Sequence, residues 1–191
     1  MNKKNTFDDF VNAEVAKTKK PEHIKEDWEK RKKDWVKQTQ DFFQKIRLWL
    51  KEYTDSGNIK LESSEITINE EELGSYKVDE LNIVIGSKVA KLTPYGTILI
   101  GASGRIDLTY GTNKIKFILT NKDLKGIGFT TKIYSNQAKE KIEKENKEEV
   151  KKMQKTTNLE WKIATEPPII TFKSLDKESF LNVLMAAMVE K

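Results

Sequence analysis

From Glu22 to Tyr53 the chain contains neither glycine nor proline, and at Gly57 its hydrophobic period changes from that of a helix to that of a strand. Upstream, Ile24, Trp28, Trp35, Phe42, Ile46, Trp49, Leu50 and Tyr53 recur at helical spacing, with Trp28, Trp35, Phe42 and Trp49 seven residues apart. Downstream, Ile59 and Leu61, Ile66 and Ile68, then Leu81, Ile83 and Ile85 alternate with polar residues, as side chains on one face of a strand must. One stretch cannot satisfy both periods. The chain must therefore bury the stripe of a helix against the face of a sheet.

Pro21 suits the first turn of this helix, and Thr54-Asp55-Ser56-Gly57 ends it. At about 1.5 Å per residue it is about 50 Å long, longer than a small domain is wide. Its C-terminal half has a broad apolar face that includes Val36 and Phe43, and is expected to lie on the main body. Its N-terminal half has only Ile24, Trp28 and Trp35 among many charges. That half is expected to project, or to pair with a first short helix that Thr6 caps and that carries Phe7, Phe10, Val11 and Val15.

Beyond Gly57 the strands are short and the connections small. Glu70-Glu71-Glu72, Gly86-Ser87 and Gly111-Thr112-Asn113 read as turns, and Pro94-Tyr95-Gly96 as a break between strands at Val89–Leu92 and Thr97–Ile100. Ile106, Leu108 and Tyr110, then Ile115, Phe117 and Leu119, continue the alternation. This pattern predicts an antiparallel meander. Residues 137–157 read as a charged insert with Glu140/Lys144, Glu143/Lys147 and Glu148/Lys152 at helical i,i+4 spacing. Leu159, Trp161 and Ile163, then Ile169 to Phe172 beyond Pro167-Pro168, are two more strands. Asp176 caps a last helix, with Leu175 and Phe180 stapling its start and Phe180, Leu181, Leu184, Met185 and Met188 forming its buried face.

The predicted architecture is α+β: N-terminal helices including one long helix, an antiparallel meander sheet of about six to eight strands, and a C-terminal helix packed on the sheet. Residues 1–56 form a helical N-terminal arm, and residues 57–191 the sheet domain with its charged insert.

Composition narrows the chemistry. The absence of cysteine removes thiol nucleophiles and thiolate metal sites and fits a reducing cytoplasm. A single histidine, His23, supports neither a histidine-based triad nor a multi-histidine metal site. No segment has the uninterrupted apolar run of a signal peptide or a membrane span. The net charge of +5 is the difference between 35 basic and 30 acidic residues that are largely intermixed, whereas a phosphate-binding surface needs bases gathered on one face.

Gly101-Ala102-Ser103-Gly104-Arg105 has the small residues of an anion-binding loop, but no helix follows it, so the usual basis for phosphate binding is missing. It reads instead as the bend of a hairpin, its glycines supplying positive φ or a bulge. Asp107 and Glu160-Trp161-Lys162 match the pattern by which restriction-type nucleases hold Mg²⁺, but Glu145-x-Lys147 and Glu149-x-Lys151 match equally well. No catalytic residue, metal or cofactor is assigned.

The leading expectation is a non-enzymatic cytoplasmic interaction or accessory protein. It meets another protein, or a second copy of itself, through Trp28, Trp35 and Arg31. The alternative is nucleic-acid binding, through the basic-aromatic helix or through Arg105, Lys114 and Lys116; the third reading is the metal-dependent nuclease.

Overall fold

The long glycine-free segment is helical from Glu22 to Trp49 (α1), breaks at Leu50, and resumes for a short turn over Lys51–Asp55 (α2). These coordinates form a computed structural model that describes residues 7, 8, 11, 22–71, 73–97, 102–127, 158–166 and 170–189. Of the predicted first helix, the described residues Phe7, Asp8 and Val11 are helical and exposed; the charged insert at 137–157 lies outside the described residues.

Among the described residues eight strands follow: β1 (Ile59–Glu70), β2 (Gly74–Ile85), β3 (Lys88–Gly96), β4 (Gly104–Tyr110), β5 (Asn113–Asn121), β6 (Gly126–Ile127), β7 (Leu159–Ala164) and β8 (Ile170–Ser174). Their spatial order is β1-β2-β3-β4-β5-β7-β8-β6, every neighbouring pair antiparallel. Seven strands thus form the meander, and the two-residue β6 adds to the outer edge of β8. Helix α3 (Lys177–Met188) closes the chain.

β3 runs through Pro94-Tyr95-Gly96, where a break between two strands was expected. A register shift between Pro94 and Gly96 absorbs the irregularity. The last β2–β3 pair is Leu81↔Leu92. Pro94 lies just past it and has no N–H to give a ladder. Beyond that point the outer half of the β1–β2 hairpin continues alone.

Its register is unbroken from Ile59↔Ile85 to Glu70↔Gly74, yet the apolar positions change phase, from Ile59 and Leu61 to Ile66 and Ile68 and from Leu81 and Ile83 to Tyr76 and Val78. With a period of two, the two halves bury opposite faces of the ribbon. A two-stranded ribbon twists more strongly than a sheet, which lets both halves contribute to one core.

The register aligns the core rows. Leu81, Leu92, Leu108 and Ile115 lie in one row across the sheet, Ile106, Phe117 and Ile163 in the next, and Gly104, Leu119 and Trp161 in a third. Onto these rows α1 lays Trp35, Phe42, Phe43 and Ile46, and α3 lays Phe180, Leu184, Ala187 and Met188. An aromatic chain links both helices to the sheet: Trp35 to Trp161 (centroids 6.0 Å apart), Trp161 to Phe42 (4.6 Å), Phe42 to Phe117 (5.4 Å), Phe117 to Phe180 (6.0 Å) and Phe180 to Trp49 (5.7 Å). Such pairs add about 0.5–1.5 kcal/mol each beyond the area they bury.

Asp176 caps α3 as expected. Its side chain accepts from the Ser179 backbone N–H at 2.8 Å, and the Ser179 hydroxyl receives the Asp176 N–H at 2.8 Å. The Ser179 N–H, then the Ser179 side chain, hold the carboxyl below its ordinary range. The folded pKa lies below the unfolded one. The stabilisation is therefore complete above about pH 4 and is lost as pH falls through the folded value. Asp176→Ala is expected to lower the melting temperature at neutral pH. In thermal melts the gap to the wild type should narrow on acidification; a gap independent of pH would contradict the charged cap.

Candidate functional site

At the N-terminal end of α1, the three residues expected to meet a partner have different fates. Trp35 is 2% exposed and stacked in the core, so its ring has no surface to offer in this fold. Trp28 is half-buried at the core margin, with the Arg31 guanidinium 5.6 Å from its ring centroid. Arg31 Nη2 donates to the Thr97 carbonyl at 2.6 Å. Beside it Glu70 accepts from the Thr97 backbone N–H at 2.8 Å and from the Tyr76 hydroxyl.

Burial pushes the Arg31 guanidinium down from its ordinary value, against the opposing pull of Glu70 and Tyr76. Burial, then the hydrogen bond to Glu70, pushes the Tyr76 phenol far up. Gly96, at φ +137°, makes room for this cluster: a Cβ there would lie 2.9 Å from the Glu70 carboxyl carbon. Arg31 and Glu70 thus fasten the helix, the hairpin tip and the end of β3 together.

The second predicted group does assemble on one face. Asp107 pairs with Lys116, Thr109 with Lys114 and Arg105 with Ile118 across β4 and β5, so all of these side chains share the side opposite the helices. The 5% exposed Asp107 receives both arms of Arg105, Nε to Oδ1 and Nη2 to Oδ2, each at 2.6 Å, and Lys114 Nζ at 3.5 Å. The hydrogen bonds that Arg105 donates to Asp107 hold the guanidinium above its ordinary value. Lys116 pairs with Glu166 at 3.2 Å. Each of the three predicted anion-binding cations therefore has a carboxylate of the chain itself.

Arg105 also lies 4.4 Å from the ring centroid of Tyr95, which is 60% exposed. Of the two roles expected for the glycines, positive φ or a bulge, Gly104 does not take the first; it is small because Trp35 passes over it, and Gly101 lies outside the described residues.

Of the Glu160-Trp161-Lys162 triplet, Glu160 and Lys162 lie on the Asp107 side of the sheet, but the Lys162 ammonium is engaged elsewhere. Lys162, 7% exposed, donates its ammonium to the carbonyls of Lys122 and Leu124 and so holds the turn after β5. Among the described residues no group of three or more His, Cys, Asp or Glu side chains is arranged to hold a metal ion, and no helix is long and apolar enough to cross a membrane.

A third feature was missed in the sequence. Between α2 and α3 runs a groove of about 460 Å³ whose walls include Tyr53, Leu181 and Met185. Met185 is 64% exposed and Val189 57%, although Met185 was expected on the buried face of α3. The buried residues are Phe180, Leu184, Ala187 and Met188, spaced by four, three and one. Met185, five positions from Phe180, lies roughly 140° around the helix from it at 3.6 residues per turn. Strict helical spacing separates the two faces; hydrophobicity alone does not.

No family model, curated protein or solved structure matches this chain.

Proposed function

We propose that this chain is a non-enzymatic cytoplasmic binding protein of the accessory or interaction type, with the groove between α2 and α3 as its contact face. One observation carries the reading. Tyr53, Met185 and Val189 leave apolar surface exposed around a single groove, and clustered apolar exposure marks contact sites. The heptad aromatics serve a different purpose, since Trp35 and Phe42 anchor α1 to the sheet.

Binding of 1-anilinonaphthalene-8-sulfonate, an apolar dye with an anionic group, tests the face directly. The wild-type chain is expected to enhance its fluorescence saturably. Met185→Glu, a change at an exposed position, should remove most of that enhancement without lowering the melting temperature. Equal enhancement by both proteins would place the dye elsewhere and sink the reading.

Nucleic-acid binding is the second reading, favoured by the exposed Tyr95 ring beside Arg105. It is the weaker one. Asp107, Glu166 and Glu80 already pair with Arg105 and Lys114, with Lys116, and with Lys91 on that face, and they would repel phosphates.

A further inference from the structure

The sheet register determines what lies under the groove. Ile59 pairs with Ile85 and Ile85 with Lys88, so these three side chains form one row across β1, β2 and β3 on the helix side. The row spans two inter-strand spacings, about 10 Å. Leu181, Met185 and Met188 wall it on the α3 side.

The row is apolar at β1 and β2 and cationic at β3. Lys88 is half-buried, and its ammonium gives one hydrogen bond, to the Met188 carbonyl at 2.9 Å, while lying 5.4 Å from the Tyr110 ring centroid. Among the described residues it has no ion pair, and none of those that line the groove carries a carboxylate side chain. An ammonium has three donors, and a partly desolvated cation without a counter-charge is an unfavourable arrangement that an anion would relieve. This distinguishes Lys88 from Arg105, Lys114 and Lys116, each of which has its carboxylate.

Resting on the reading of the groove as the contact face, we infer that its occupant is a medium-chain aliphatic carboxylate of the fatty-acid class. The tail lies over Ile59 and Ile85 against Leu181 and Met185, and the carboxylate meets Lys88. The volume is in the range of small-ligand sites, which are mainly apolar with a few polar groups that set orientation.

The test is calorimetric titration of the full chain with sodium decanoate below its micellar concentration, with 1-decanol as the uncharged control. Saturable one-site binding is expected. Decanol should bind about tenfold more weakly, the difference that one charge-assisted hydrogen bond supplies. Lys88→Met should cause a similar loss, Lys88→Arg should largely restore affinity, and Met185→Glu should abolish it.

Absence of decanoate binding would overturn the inference, as would equal affinity for decanol and decanoate, which is read on the wild-type chain whatever the variants do. Binding unchanged in Met185→Glu would also overturn it. If decanoate fails while the dye still reports the groove through Met185, the ligand class falls and the contact face stands; if both fail, both fall.

Discussion

Trp35→Ala is expected to destabilise the protein by about 3–5 kcal/mol, the range for removing a large aromatic side chain from a packed core. Trp35 is fully enclosed, and its ring lies on Trp161 and over Gly104. The close approach gives a second, sharper result. A Cβ on Gly104 would lie 2.1 Å from Trp35 Cζ3 and 2.6 Å from Cε3, distances that force the indole or the strand to move. Gly104→Ala should therefore be destabilising by about 1–3 kcal/mol as an overpacking change, and Gly104→Val by more.

Trp35→Leu removes the benzo ring that the new methyl group meets, so Gly104→Ala should be much less harmful in that background. Urea denaturation of the four proteins gives the coupling energy, expected near 1–2 kcal/mol. Strictly additive effects would mean that Trp35 does not rest on Gly104.

The second large effect is expected at Asp107. Removing one partner of a buried, hydrogen-bonded pair leaves the other charge uncompensated, and Asp107→Ala should lower stability by about 3 kcal/mol. Arg105 would lose both of its short hydrogen bonds, and Lys114 would be left close to an unpaired guanidinium. Replacing both members by apolar residues, Arg105→Met with Asp107→Leu, should recover much of the loss, because no stranded charge remains. If the single Asp107 variant is as stable as the double variant, the pair is not the structural feature described here.

Much of the architecture is legible in the residues. The glycine-free helix, the meander and the Asp176 cap follow from period, turn residues and capping chemistry, each of which acts over a few neighbouring positions. Errors arose where a local signal has two tertiary outcomes. Pro94 reads as a break, but a proline just beyond a ladder's last pair is tolerated, and β3 continues to Gly96. Gly104 reads as a turn glycine, whereas what demands it is a tryptophan 69 residues away in the chain. Trp35 reads equally well as an exposed contact or a core anchor, because helical spacing places it on a face without saying what covers that face.

The candidate sites divide in the same way. Alternation alone puts Arg105 and Asp107 on one side of their strand, and Lys114 and Lys116 on one side of theirs. Which cation takes which carboxylate depends on β4–β5 register and, for Lys116, on Glu166 fifty residues further on. The groove had no local signal, since its floor comes from three strands and its walls from two helices that flank the whole sheet in sequence.

By itself, the sequence determined the long helix, the antiparallel meander and the capped C-terminal helix, because hydrophobic period and capping residues act within a few positions. Only the tertiary structure decided that Trp35 is an anchor, that Arg105 and Asp107 satisfy one another, and that Lys88, without a carboxylate partner among the described residues, sits beside an apolar groove. These are outcomes of long-range pairing. Desolvation and close packing depend on which distant side chain arrives, and a linear pattern does not record that.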